Sequence, residues 1–243
     1  MLEHPKRLLL IFLKEPIAGK VKTRLAATVG EDQAVLIYRA LVKTLLEQLQ
    51  WVSDCHYRFC FAPADAQEAM QFWLLPDLAH RLEVGTSRLT PLAPEAPSID
   101  FAPQVEGDLG ARLHAAVKQG FGEGFEQVTM IGADCPFVSA RWLEAAFMAG
   151  TLADVTVGPT PDGGYFMMQM QAYSPAPFTD IPWSTAQTLA VTLERLHAAG
   201  LSTQLLPSLS DIDHEEDWLA ALDSPLGARL KKNLQAVSAS TFY

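Results

Sequence analysis

Residues 8–13 read Leu-Leu-Leu-Ile-Phe-Leu, an unbroken apolar run closed by Lys14. A strand with one wet face alternates polar and apolar positions. A short continuous run instead suits a central strand covered on both faces. The segment that follows, 14–24, loses the pattern at Pro16 and Gly19 and carries Lys14, Lys20, Lys22 and Arg24. A basic loop therefore leaves the carboxyl end of a buried strand, which is where open α/β sheets bind ligands.

Downstream, apolar residues recur at helical spacing from 31 to about 51: Ala34, Val35, Tyr38, Leu41, Val42, Leu45, Leu46 and Leu49. Strands are expected at 56–61, 128–131, 154–157, 165–170 and 203–206, with a short one at 81–84. Helices are expected at 65–75, 108–121 and 186–198, and from Ser139, as N-cap, through Met148. Two short helical segments close the chain. Residues 86–103 contain four prolines and read as irregular. Alternating strands and helices imply an α/β fold, a largely parallel sheet with helices on both faces, in a single domain over 1–243.

A net charge of −10 argues against a sequence-independent nucleic-acid binder, which needs a basic face. It leaves room for a small phosphorylated ligand held by local cations and a metal. Cys55, Cys60 and Cys135 form neither a disulfide framework nor a metal-ligand pattern, so a reducing compartment fits. Residues 8–13 are too short for a signal peptide, and no stretch approaches a membrane span. The expected location is the cytoplasm.

Four constellations carry chemistry. The 14–24 loop, with Gly19 and Thr23 among its cations, is either a phosphate cradle or a solvated basic surface. It is not a Walker A loop, because Gly19-Lys20 lacks the upstream glycine and the following hydroxyl residue. Asp134, in Gly132-Ala-Asp-Cys-Pro136, sits just past a strand, placed to hold Mg²⁺ or Mn²⁺ or to cap a turn. Cys135 is discounted as a nucleophile because Pro136 follows it and no motif aims a histidine at it.

Asp211-Ile-Asp-His-Glu-Glu-Asp217 offers a second carboxylate from Asp211 or Asp213. It also resembles a helix start, with Asp213 and Glu216 spaced as a capping box. Asp162-Gly163 is a hairpin signal that would also put a carboxylate at the mouth of a site. Arg112, near a helix start, can reach a phosphate or pair with an acid.

In order along the chain stand Phe12-x-Lys14-x-Pro16-x-x-Gly19-x-Val21-Lys22-Thr23-Arg24-Leu25, Gln104-x-x-Gly107-Asp108-Leu109-Gly110-x-Arg112 and Gly132-x-Asp134-Cys135-Pro136. Gly158-Pro159-x-x-Asp162-Gly163-Gly164-Tyr165, Trp183-x-Thr185 and Asp211-x-Asp213-x-x-x-Asp217 follow. This set resembles the bacterial DUF2064 group, glycosyltransferases associated with radical-SAM or arsenosugar pathways, and more remotely the guanylyl- and cytidylyltransferases.

The resemblance implies a three-layer αβα sandwich of the GT-A, nucleotide-diphospho-sugar transferase type with a mixed, mainly parallel sheet. It implies a nucleotide or nucleotide-sugar donor on Lys14, Gly19, Lys20, Lys22, Thr23, Arg24 and Arg112. It further implies Mg²⁺ or Mn²⁺ on Asp134 and Asp213, and a small-molecule acceptor faced by Asp162 as general base. His214-Glu215 stands where the group often has Thr-Pro, and Ser184 where glycine is usual. The activity implied is glycosyl transfer. Nucleotidyl transfer with release of pyrophosphate, and a non-catalytic nucleotide-binding module, are the alternatives.

Overall fold

A computed structural model of the protein describes residues 6–50, 52, 54–78, 82–83, 90–91 and 99–240. In chain order the elements are β1 (Arg7–Lys14), α1 (Thr23–Val29), α2 (Glu31–Leu49), β2 (Cys55–Ala62), α3 (Gln67–Leu78), β3 (Leu82–Glu83), β4 (Thr90–Pro91), β5 (Ile99–Pro103) and α4 (Leu109–Gly122). They continue with β6 (Gln127–Gly132), α5 (Ala140–Gly150), β7 (Val155–Pro159), β8 (Tyr165–Met170), α6 (Thr188–Ala198), β9 (Thr203–Leu205), α7 (Glu215–Asp223) and α8 (Gly227–Ser240).

Seven strands form one sheet in the order β5-β2-β1-β6-β8-β7-β9, and β3 and β4 make a separate antiparallel pair. Strand β8 runs antiparallel to both its neighbours; every other pairing in the large sheet is parallel. The apolar run of β1 explains its central place. Leu9, Ile11 and Leu13 pack into one core with α2, α3 and α5. Leu8 and Leu10 face the opposite way, into a second core with α4 and α6. Each such side chain contributes about 1.5–3 kcal/mol by leaving water. Two helical layers therefore sandwich the sheet, as the alternation of strand and helix implies. A third cluster joins α1, α2, α7 and α8 through Leu25, Leu41, Trp218 and Leu230.

Three local expectations need correction. The 14–24 loop is shorter than its composition suggests, because α1 begins at Thr23, with Leu25 buried against α2 and α7. Residues 99–103, read as irregular, form β5, paired parallel to β2 at the sheet edge. Ile99 is buried, and Phe101 packs 5.2 Å from Phe59, ring centroid to centroid. The flanking prolines hide the strand, yet Pro103 is tolerable at an edge with only one partner. The remainder of the 86–98 stretch, apart from 90–91, lies outside the described residues, as do Arg81 and Val84 of the expected short strand and Trp51 at the expected end of the long helix. Third, the helix near 211–217 begins at Glu215, and its capping box differs from the one expected. Asp217 accepts from the backbone N–H of both Asp213 (3.0 Å) and His214 (2.7 Å).

The smaller expectations hold. Ser139 caps α5, accepting from the Trp142 N–H at 3.2 Å, and Asp108 caps α4, accepting from the Ala111 N–H at 2.8 Å. On β2, Arg58 turns toward the edge, where its guanidinium makes two bonds to Asp100, at 2.9 and 2.7 Å, and two to Glu123, at 3.2 and 2.8 Å. Burial alone would raise the Asp100 pKa, but hydrogen bonds from His56 and Arg58 outweigh it and hold the group at about 2. This contribution to stability is present above the ordinary aspartate pKa of about 4 and is lost as pH falls toward 2.

Candidate functional site

The parallel strands β1 and β6 are paired with Phe12 opposite Gly132, and the Ala133 N–H continues the ladder by donating to Phe12 O at 3.1 Å. Lys14 and Asp134 thus emerge together at the carboxyl ends of adjacent strands. Segment 206–213 crosses from β7 to this point. The Leu209 N–H donates to Pro159 O at 3.2 Å, and the Ile212 N–H to Asp134 O at 3.2 Å. Ile212 is buried among α1, α2 and α7. Its neighbours Asp211 and Asp213 both line the cleft instead, as alternate positions of an extended segment do. The Asp-Ile-Asp pattern is thus one apolar anchor between two presented acids.

Oxygens of Asp134, Asp211 and Asp213 lie within 4.8 Å of one another. Lys22 reaches into this group. Its Nζ donates to Asp134 Oδ2 at 2.9 Å and to Asp213 Oδ1 at 2.8 Å, and its side chain is only 6% exposed. Arg24 donates to the other oxygen of Asp213 at 2.9 Å. Because Asp217, not Asp213, caps α7, both oxygens of Asp213 are available for these cations. Lys22 holds this position from a left-handed backbone conformation, φ 46°, at the start of α1. Such geometry costs a non-glycine residue about 1–3 kcal/mol and persists where the surroundings over-determine it.

Burial alone would lower the Lys22 pKa, but Asp134 and Asp213 together push it up. Burial would raise Asp213, but Lys22 and then Arg24 bring it down. Asp211 has no salt bridge among the described residues. Burial first, and then the charges of Asp134 and Asp213, push it up to about 6, with Lys22 opposing.

Asp211 holds its proton to about pH 6 when folded and to about pH 4 when unfolded, so its ionisation destabilises the folded chain above that window. Without divalent metal, Asp211→Asn raises the denaturant midpoint relative to wild type at pH 8, and the gain shrinks toward pH 4. A difference independent of pH contradicts this assignment.

These groups stand on a cleft of about 720 Å³, within the range of small-ligand sites. Of the residues expected at a nucleotide, Lys14, Lys22, Thr23, Arg24 and Arg112 line it; Gly19 and Lys20 do not. Gly19 has φ +72°, and the Lys20 N–H donates to Ile17 O at 3.0 Å, so both belong to a tight turn. Lys20 is exposed there. Lys14 and Arg112 have no acidic partner among the described residues, and Arg112 Nε donates to Gly107 O at 3.0 Å. The cleft thus carries two cations already bonded to acids and two that are free.

The opposite wall is the β7–β8 hairpin. Asp162 Oδ1 accepts from Thr160 Oγ1 at 2.5 Å and from the Gly164 N–H at 3.1 Å, which fixes the carboxylate on the turn. Gly163 has φ +89°, and a Cβ there would lie 2.2 Å from Ala186 O. Trp183 completes the wall beside Gly110, where a Cβ would lie 2.2 Å from the indole nitrogen. Ser184 has φ 60°, which explains why glycine suits that position.

Tyr38 escaped the sequence reading, and Gln104 appeared there only within a motif, without a role. The Tyr38 hydroxyl accepts from the Lys14 N–H at 2.9 Å and donates to Lys14 O at 3.2 Å, so α2 clamps the start of the basic loop. Gln104 Nε2 donates to Leu13 O at 3.2 Å and to Cys60 O at 2.8 Å. Tyr38 falls in the helical apolar stripe and gave no polar signal. Asp211 was legible only as an alternative to Asp213. Cys135 is buried, and burial first and then Asp134 push its thiol pKa up, away from a nucleophile's range.

A mostly parallel sheet with one antiparallel strand and helices on both faces is the fold of the nucleotide-diphospho-sugar transferase and cytidylyltransferase class. A solved structure from Desulfovibrio desulfuricans G20, described as a candidate nucleotide-diphospho-sugar transferase, is 28% identical, with 96% of this chain and 97% of that chain covered and a TM-score of 0.77. The 4-diphosphocytidyl-2C-methyl-D-erythritol synthase of Anaerococcus prevotii DSM 20548 is 12% identical over 89% and 95% of the two chains, TM-score 0.54. A cytidylyltransferase of Leptospira borgpetersenii serovar Hardjo-bovis is 11% identical over 98% and 96%, TM-score 0.52. At such identities the last two show the fold alone.

The chain belongs to the family described as "Uncharacterized protein conserved in bacteria (DUF2064)", whose profile it matches over residues 45–185. No curated protein matches it. Among the described residues no helix is long and apolar enough to cross a membrane.

Proposed function

We propose that the protein transfers a glycosyl group from a nucleotide-diphospho-sugar to a small hydroxyl acceptor, with a divalent metal on Asp134, Asp211 and Asp213. The observation that carries the reading is the convergence of three carboxylates with Lys22 and Arg24 at the carboxyl ends of β1 and β6. The residues fit the metal. Their donors are all carboxylate oxygens, the preference of hard cations such as Mg²⁺ and Mn²⁺, and a cation, the Lys22 ammonium, already bonds two of them. Bound there, the metal would neutralise charge on a diphosphate leaving group.

The remaining work falls to the chain itself. Lys14 and Arg112, free of acid partners, face the cleft to meet phosphate oxygens. Lys22, Thr23 and Arg24 line the same cleft. Asp162, held by two donors on the facing hairpin, is positioned to take the proton of an acceptor hydroxyl. Holding donor and acceptor in one cleft supplies rate by orientation. The likeness to the Desulfovibrio protein supports a nucleotide-sugar donor.

Asp162 also favours glycosyl over nucleotidyl transfer. A neutral hydroxyl needs a base, whereas a phosphate nucleophile is already anionic and is repelled by a carboxylate across the cleft. Product analysis tests the choice. With Mn²⁺ and a panel of nucleotide-sugars, the expected product is free nucleoside diphosphate. Release of pyrophosphate from nucleoside triphosphates, with no nucleoside diphosphate released from nucleotide-sugars, replaces this reading with nucleotidyl transfer.

A further inference from the structure

We infer that Lys22 is the resident counter-ion of the acidic cluster and is exchanged for the divalent metal, which frees its ammonium to bind the phosphates that arrive with that metal. The inference rests on the proposed metal site. Its ground is the position of the ammonium. A surface lysine would lie in water, but this one is 6% exposed and donates to two of the three carboxylates that would hold the ion. It is brought there from a left-handed backbone conformation, so the contact is reached against local strain.

The two cations exclude one another. A metal bonded at about 2.1 Å to the oxygens that Nζ now touches, at 2.9 and 2.8 Å, would sit no farther than about 5 Å from the ammonium. At that separation like charges repel strongly in a partly buried site. Entry of the ion therefore requires Lys22 to leave. Having left, it remains on the cleft that Lys14, Arg24 and Arg112 also line, where phosphate oxygens offer it a new partner.

Two consequences follow. The metal alone binds weakly, because it must break two charged hydrogen bonds at 2.9 and 2.8 Å without replacing them. Metal and nucleotide together bind with positive coupling, because the nucleotide supplies what Lys22 lost. The metal-free protein thereby keeps Asp134 and Asp213 paired and orders the start of α1 before substrate arrives.

Two measurements test the exchange, both with Mn²⁺ alone. The first is free Mn²⁺ by electron paramagnetic resonance, for wild type and Lys22→Met. The variant is expected to bind at least about tenfold tighter, and equal affinity overturns the inference. The second uses wild type and covers a variant that fails to fold: labelling of amines by acetic anhydride, read by mass spectrometry. Saturating Mn²⁺ is expected to raise acetylation of Lys22 at least about threefold relative to the exposed Lys14. Unchanged labelling at saturating Mn²⁺ overturns the exchange, and it also separates true displacement from a merely electrostatic gain in the variant. If neither protein binds Mn²⁺, the exchange falls together with the metal reading of the site. Equal binding with unmoved Lys22 sinks the exchange alone.

Discussion

Asp134→Asn is expected to lower metal-dependent turnover at least about a thousandfold, or about 4 kcal/mol at the transition state. Asparagine keeps the shape and can still accept from Lys22, so the variant isolates the charge. Asp134 is tied to the other two acids through Lys22 and Ile212. Its Oδ2 is bonded to Lys22, and its backbone oxygen pins Ile212, which presents Asp211 and Asp213. The backbone bond survives the substitution. Metal-free stability is expected to change little, because Lys22 keeps Asp213 at 2.8 Å. The measurement is turnover against Mn²⁺ concentration, beside a thermal melt in chelator. A variant that keeps wild-type turnover removes Asp134 from the metal site.

Gly163→Ala is expected to destabilise the protein by about 3 kcal/mol. A left-handed alanine costs about 1–2 kcal/mol. Overpacking adds about 1–3 kcal/mol, because the new Cβ would lie 2.2 Å from Ala186 O, a backbone atom that cannot rotate away. For a chain of this length that is a fall in melting temperature of about 6–12 °C. Gly124→Ala is the control. Gly124 has φ +94° but open space around its Cβ position, so it reports the backbone cost alone, about 1–2 kcal/mol. Equal losses at the two positions would show that the contact with Ala186 contributes nothing. Because Gly163 adjoins Asp162, its substitution also displaces that carboxylate and is expected to lower kcat. Gly124, remote from the cleft lining, leaves kcat as it was.

Much of the fold was written in hydrophobic period. The run at 8–13 marks β1 as central because both faces of a strand so placed must be apolar, and the structure fills both with core. The stripe from Ala34 to Leu49 marks α2 for the same reason in helical form. Strand β5 was not legible, since five residues beside several prolines look like loop until a neighbour pairs with them. Its burial comes from Phe59 and α3, distant in sequence. Helix α1 is short, and its one fully buried residue, Leu25, docks on helices that come later in the chain.

At the site, residue types were legible and pairings were not. Lys22, Arg24, Asp134 and Asp213 stand out by charge at strand ends, but nothing local says that Lys22 bonds two acids 112 and 191 residues away. The basic loop therefore read as a uniform phosphate cradle. The structure divides it into Lys22 and Arg24 on acids, Lys14 free on the cleft, and Lys20 turned away with Gly19. Tyr38 shows the opposite failure. Its ring satisfies the apolar stripe of α2, so its hydroxyl carried no signal until it was seen bridging both backbone groups of Lys14.

Nucleotide binding is measured by isothermal titration calorimetry, with nucleoside diphosphates and nucleotide-sugars, in Mn²⁺ and in chelator. At least one nucleotide-sugar is expected to bind, and at least about tenfold more tightly with Mn²⁺. Absence of binding by every nucleotide in Mn²⁺, or affinity that chelator leaves unchanged, contradicts the proposed function.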